Sequence, residues 1–328
     1  MELVWLELMK NKKKFILFYL IIFFFYNIAY SNEEINYSSN TIKILEKGKI
    51  ISGKGDVQIL VGDDIFISSE TFEYNKETGV YKIFNNVQFE DKIRNVKASG
   101  SEFILSTLDN KILSGKGDVQ ILVGDDIFIS SETFEYNKET GVYKIFNNVQ
   151  FEDKIRNIKA SGSEFILSTL DNKILSKKKS KVIYNENYNI DLNNFEYDIY
   201  DKKISSDNFV RIKDNVNNYF ELYEFLLDLK KNRFLGKEIK FIDNQRNKYF
   251  LNEVIVNAEN DKLYGKEIKF LDNQQNKYLL NEVMINTDND NLYGKELNIE
   301  FNKSLFGDSN NDPRLKAKSV IIKDQSSF

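Results

Sequence analysis

The stretch GKGDVQILVGDDIFISSETFEYNKETGVYKIFNNVQFEDKIRN, residues 53–95, decides the fold. Val57, Ile59 and Val61 alternate with polar neighbours, and Ile65 and Ile67 continue the pattern. In YKIFNNVQF, Tyr81, Ile83, Val87 and Phe89 share one side, while Lys82, Asn86 and Gln88 share the other. A period of two predicts strands with one apolar and one wet face. The Gly-, Asn- and Asp-rich breaks between the runs predict turns, because short polar side chains bond locally and tolerate left-handed backbone. Helical periodicity is weak nearly everywhere. The segment YEFLLDLKKN from Tyr223 could pass for a helix, but it shares its frame with strand-forming segments described below.

The same stretch begins again, letter for letter, at Gly115. Residues 53–114 and 115–176 differ at one position, Val96 against Ile158. A closed core rarely accepts an insertion of this size. A stack in which each repeat touches only its neighbours grows longer instead. A shorter unit of strand, Asn/Asp/Lys-rich turn and strand runs through the rest of the chain. Copies start at Thr71, Thr133, Asn194, Glu224, Glu253 and Glu282, the last three spaced by 29 residues. Gly79, Gly141, Gly265 and Gly294 are read as sitting at or after the turns. One hairpin cannot bury its apolar face alone, whereas stacked hairpins form two facing sheets. The predicted fold is therefore all-β, an elongated antiparallel jelly-roll-like stack with two open ends. Such ends expose unpaired strand edges, which a partner strand can cover.

Composition narrows the chemistry. The chain has 328 residues, a net charge of −4, no His, no Cys and one Pro. These absences exclude Ser-His-Asp and Cys-His nucleophile systems, zinc sites of the usual N/S type and disulfides. Acidic and basic residues are interspersed, so no basic stripe suits a nucleic-acid backbone. Gly62-Asp63-Asp64 and its copy Gly124-Asp125-Asp126 offer paired carboxylates, as a glycosidase or a Ca²⁺ site uses. Adjacent strand residues point to opposite faces and turns favour Asp, so a solvated turn is the preferred reading. Gly53-Lys54-Gly55 lacks the remainder of a phosphate loop and no helix follows it. Lys177, Lys178, Lys179 and Lys181 could meet phosphates, but a solvated loop is the simpler account.

At the N-terminus, the basic Lys10–Lys14 region precedes an apolar run, Phe15–Tyr26, and then the small-x-small triplet Ala29-Tyr30-Ser31. This is the layout of a secretory signal peptide over residues 1–31. The apolar run is short for a membrane span, which takes about 20 residues, and a retained anchor is the alternative. Met9 would open the n-region directly. Without Cys there is no lipoprotein attachment site. The expected organisation is a signal at 1–31, a linker at 32–47, β-jelly-roll repeats at 48–306 and a tail at 307–328.

FEYNKETGVYKIFNNVQF, at Phe72 and Phe134, and FEYDIYDKKISSDNFVRI, at Phe195, resemble the repeat unit of the OstA-like family of lipopolysaccharide-transport proteins. The likeness covers about Gly48 to Val320. The tail DSNNDPRLKAKSVIIKDQSSF from Asp308 resembles the segment preceding the outer-membrane barrel in LptD-type proteins, although no run of barrel strands follows it. LptD-type proteins often carry Cys pairs and this chain has none, so redox-gated maturation is not supported.

The resemblance implies a non-enzymatic conduit in the periplasm, associated with the outer membrane. In such a conduit lipopolysaccharide acyl chains lie between the sheets. Burying a CH₂ contributes about 0.8 kcal/mol, so a chain of a dozen methylenes exposed to water would lose roughly 10 kcal/mol. The residues expected to line the groove are Val57, Ile59, Val61, Ile65, Ile67, Tyr81, Ile83, Val87 and Phe89. Their copies are Val119, Ile121, Val123, Ile127, Ile129, Tyr143, Ile145, Val149 and Phe151. Without the resemblance they read as ordinary sandwich core. Catalytic residues, metals and cofactors are not expected. The implied partners are lipopolysaccharide, an LptA-like jelly-roll protein at the open N-terminal edge and, if a barrel exists, an outer-membrane lipoprotein. A free-standing LptA-like bridge, an exported structural β-solenoid and a polysaccharide-active enzyme using carboxylates alone are the alternatives.

Overall fold

The computed structural model describes residues 34–322 apart from 108–111, 243, 245, 247, 258–261, 272–273, 287–290 and 304–312. The expected signal segment thus lies outside the described residues. What is described is all-β, with 23 antiparallel strands and one short 3-10 turn at Glu46–Gly48. β1 (Ile35–Ser38) and β2 (Thr41–Leu45) are followed by eight long strands: β3 (Ile50–Val61), β4 (Ile65–Asn75), β5 (Val80–Asp91), β6 (Val96–Ser106), β7 (Ile112–Val123), β8 (Ile127–Asn137), β9 (Val142–Asp153) and β10 (Ile158–Ser168). Six short ones come next: β11 (Lys173–Ser176), β12 (Ser180–Tyr184), β13 (Tyr188–Leu192), β14 (Phe195–Asp198), β15 (Lys203–Ser206) and β16 (Val210–Lys213). Seven strands complete the chain: β17 (Tyr219–Asp228), β18 (Arg233–Ile242), β19 (Lys248–Asn257), β20 (Lys262–Leu271), β21 (Lys277–Asn286), β22 (Asn291–Glu300) and β23 (Arg314–Ile322).

Each long strand belongs to two sheets. Its register slips once near the middle, as between Lys54 and Val57 in β3 or Phe84 and Val87 in β5. The residues at these slips adopt left-handed backbone: Gly55 and Asp56, Asn85 and Asn86, and their copies Gly117, Asp118, Asn147 and Asn148. A bulge of this kind bends the strand and re-aims it, so one half joins the first sheet and the other half the second. In β11–β16 the same corner is a complete break, and β11 and β12 pair with separate halves of β10. The run Lys177–Lys179 is one such exposed corner, the loop that its composition predicts.

The corner carries a legible device. Gly53, Gly115, Gly236, Gly265 and Gly294 stand just before it, and an added Cβ there would lie 2.2–2.7 Å from a Phe or Leu side chain of the neighbouring strand. Glycine is needed because that large side chain lies across its Cα. Gly265 and Gly294 thus sit inside strands β20 and β22, after the turn segments, whereas Gly79 and Gly141 occupy turns, at positive φ. The left-handed Glu267 and Glu296 follow two residues later and accept hydrogen bonds from Asn252 (3.0 Å) and Asn281 of the neighbouring strands. Asn86 donates to Glu70 at 2.6 Å and Asn40 to Asp56 at 2.7 Å, so neighbouring rungs are laced along the corner.

The paired strands of the strand–turn–strand units form as expected, and the Tyr223 segment is strand β17. Two boundaries differ from the expected organisation. Residues 32–47 include β1 and β2, which pair with the two halves of β3 and extend both sheets. The tail includes β23, which pairs with β22 along almost its whole length. Alternating residues in both segments find ready strand edges, so pairing extends to the limits of the described chain.

Candidate functional site

The interior between the two sheets is the candidate site. Its residues come from the period-two faces of successive strands, and the bulge preserves their facing. Ile83 and Val87, four residues apart, both point inward on either side of the left-handed Asn85 and Asn86. Of the residues expected to line a groove, the nine of the first copy are buried, as are Val119, Ile121, Ile127, Ile129, Tyr143, Ile145, Val149 and Phe151 of the second. Val123 is partly buried and packs on the same cluster. The structure brings them together as one apolar interior that continues to Ile299. Aromatic rings line it: Tyr136 stacks on Tyr143 with centroids 4.2 Å apart, and Phe241, Tyr249 and Phe270 form a stacked series that Tyr278 continues at a tilt. A small cavity of about 20 Å³ lies within this interior, bounded by Tyr188, Phe220, Phe234 and Val254 among others.

The side opposite the corner is the rim, where the hairpin turns lie and the two sheets could part. It is bridged by polar groups not anticipated from the sequence. Asp91, at the end of β5, is fully buried. It accepts hydrogen bonds from the Arg94 amide (3.0 Å), the Arg94 guanidinium (3.0 Å) and the Tyr136 hydroxyl (2.5 Å) of the opposite sheet. Arg94 also donates to the Lys138 carbonyl at 2.7 Å, and the Lys138 ammonium pairs with Asp64 at 2.8 Å. The GDD turn is therefore formed as read, with Asp63 exposed but Asp64 engaged in this bridge. The copy repeats the motif: Asp153 is fully buried and receives Arg156 at 2.6 Å and Tyr197 at 2.6 Å. Tyr184 reaches Asn232 across the rim at 2.5 Å.

These bridges have consistent electrostatics. Burial first, and then the bond to Asp91, push the Tyr136 phenol well above its ordinary range; Tyr197 is raised in the same order of causes by burial and Asp153. Burial opposes the charge on Arg94, but Tyr136 and Asp91 outweigh it and hold the guanidinium protonated. The signal in the sequence is Asp-x-x-Arg across a turn, Asp91 to Arg94 and Asp153 to Arg156, with a Tyr two residues after a Phe further along. In both copies the Tyr lies three strands beyond the Asp in the stack. The sheets therefore lean across each other, and a reading along one strand does not reveal the pairing.

The outer face of the first sheet changes character along the stack. One cross-strand row runs through Ser52, Glu73, Lys82, Ile104, Ser114, Glu135 and Lys144 in register. From Leu226 onward it becomes apolar without interruption: Leu235, Ile255, Tyr264, Met284, Tyr293 and Ile321. This half of the face is dished, with a concavity of about 810 Å³.

Among the described residues no group of three metal-ligating side chains converges. No described helix is long and apolar enough to cross a membrane, which says nothing of a β-barrel. No family model matches the chain, and no curated protein matches it. Among solved structures, the chain is similar to LptH, the LptA-homologous periplasmic component of the conserved lipopolysaccharide transport device from Pseudomonas aeruginosa. The TM-score is 0.33 at 11% identity, covering 37% of this chain and 96% of that one.

Proposed function

We propose that this chain is a non-enzymatic conduit for lipopolysaccharide, working in the periplasm and holding acyl chains between its two sheets. The observation that carries this reading is the single apolar interior, which passes from rung to rung as one hydrophobic cluster among the described residues. Hydrocarbon moving through water needs such a path, and near-identical rungs offer near-equal sites along it. The resemblance of the repeat units and the Asp308 tail to LptD-type proteins makes the periplasmic part of such a protein the preferred identity. A free-standing bridge is the related alternative. An LptA-like jelly roll would pair with the outer edges of β1 and β2, which have no strand partner on that side among the described residues.

In the described state the expected groove residues are packed against one another, so lipid would have to part the sheets at the rim. The buried Asp91–Arg94–Tyr136 bridge favours a second reading, an exported structural stack without lipid. Photo-crosslinking in a lipopolysaccharide-producing cell separates the two. A photoreactive residue at Ile83 (inward) should give lipopolysaccharide adducts, whereas one at Lys82 (outward) should not. A folded protein with no adduct at Ile83 or Ile145 would end the conduit reading.

A further inference from the structure

We infer that the outer face of the first sheet from β17 to β22 is a self-association surface, and that its occupant is a second copy of this chain. The inference does not depend on lipid transport. It starts from the change in the outer row described above. The row is largely polar through the duplicated units, yet from Leu226 to Ile321 every position is apolar, and Ile255, Tyr264, Tyr293 and Ile321 are exposed. A continuous row of this kind on one face marks an interaction site rather than scattered surface apolar residues.

The neighbouring row identifies the partner. Toward the corner, Lys237, Glu253, Lys266, Glu282 and Lys295 stand opposite one another in register across β18–β22. Glu224, on β17, extends the alternation by bonding Lys237 at 2.5 Å. The row reads Glu, Lys, Glu, Lys, Glu, Lys and has no net charge, so a ligand of one sign gains nothing from it. Turned about a two-fold axis parallel to the strands, between β19 and β20, the row becomes its own complement. Glu224 then faces the partner's Lys295, Lys237 the partner's Glu282, and Glu253 the partner's Lys266. The same rotation lays apolar row on apolar row, with Ile255 and Tyr264 exchanging places at the centre. This is the geometry of an isologous interface, with charges at its rim that set register more than affinity.

The area is adequate. A third row, Asp228, Arg233, Asn257, Lys262, Asn286 and Asn291, flanks the apolar one on its other side. Six or seven strands about 4.8 Å apart, and three side-chain rows about 7 Å apart, give roughly 600 Å² per copy. Two copies together reach roughly 1,200 Å², the lower end of stable interfaces. Tyr264 and Tyr293 line the dished face and are exposed, so their rings add aromatic area to the contact.

The chain has no Cys, so single thiols report the contact cleanly. The full chain is made as Ile255→Cys and as Tyr264→Cys, and the two are mixed with a short bis-maleimide. The expected result is a heterodimeric cross-link between the two variants, and none when Ile183→Cys replaces either. Lys266→Glu should weaken dimerisation by tenfold or more in sedimentation velocity, and adding Glu253→Lys to it should restore dimerisation. Circular dichroism verifies that each variant is folded. A folded chain that stays monomeric to about 100 µM overturns the inference. So does a dimer that ignores the charge reversal and forms no cross-link through this face, as edge-to-edge pairing through β23 would.

Discussion

At the scale of single residues, two kinds of position hold the molecule together. Gly265 is packed so closely by Leu251 and Ile268 that a larger side chain must displace one of them. Gly265→Val should destabilise the chain by about 1–3 kcal/mol, the usual cost of overpacking, seen as a lower midpoint in urea denaturation. Tyr136 and Tyr197 are the other kind. Tyr136→Phe leaves the buried Asp91 short of one donor and should cost about 1–3 kcal/mol. The tyrosines also set an alkaline limit. Tyr81, Tyr136 and Tyr197 have folded pKa values raised above their unfolded value, with burial the first cause in each. Such groups contribute stability that is fully present below about pH 10, the ordinary phenol value. Above it the unfolded chain loses protons first and the native state is progressively destabilised. Urea midpoints should therefore fall above about pH 10, less steeply in a Tyr136→Phe/Tyr197→Phe double variant. The alternation that places Tyr136 inside is visible in the sequence. Its bond to Asp91 is not, because that bond depends on how the two sheets lean.

At the scale of the element, the kinked strand is the repeating part, and its sequence is a corner motif. Gly53-Lys54-Gly55-Asp56 and Gly265-Lys266-Glu267 do the same work: a glycine under a large side chain of the neighbouring strand, an outward lysine, and an acidic left-handed residue at the bend. Strand, turn and facing were all legible in the period of two, and the 29-residue spacing places the β19–β22 hairpins without help. The corner was not legible as such. Asn and Gly in a strand-rich sequence signal a turn with equal force, and a bulge that reverses nothing looks the same locally as a turn that does. Asn86 tests the motif, since it combines left-handed backbone with the bond to Glu70. Asn86→Ala should cost about 1–2 kcal/mol, from the left-handed penalty for a side chain with a Cβ but no local hydrogen bond and the lost cross-rung bond. A denaturant midpoint unchanged from the parent would show that the corner is not a stabilising feature.

At the scale of the whole molecule, stability accumulates rung by rung. Ser114 and Ser176 close equivalent units, so joining Ser114 directly to Lys177 recreates a junction already present in the chain. A variant lacking residues 115–176 should therefore fold, with an all-β circular dichroism spectrum. Its stack should be shorter by four strands, about 19 Å at the usual strand spacing, measurable by small-angle scattering. A misfolded deletion variant would show that the copies depend on contacts beyond their neighbours. The duplication has a directional consequence as well. Adjacent strands rotate by about 20–25°, so four added strands swing everything downstream through roughly a quarter turn. The unit inserted at Gly115 therefore changes the compass bearing of the β17–β23 face relative to the β1–β2 end, and a chain with one copy would present that face along a different azimuth.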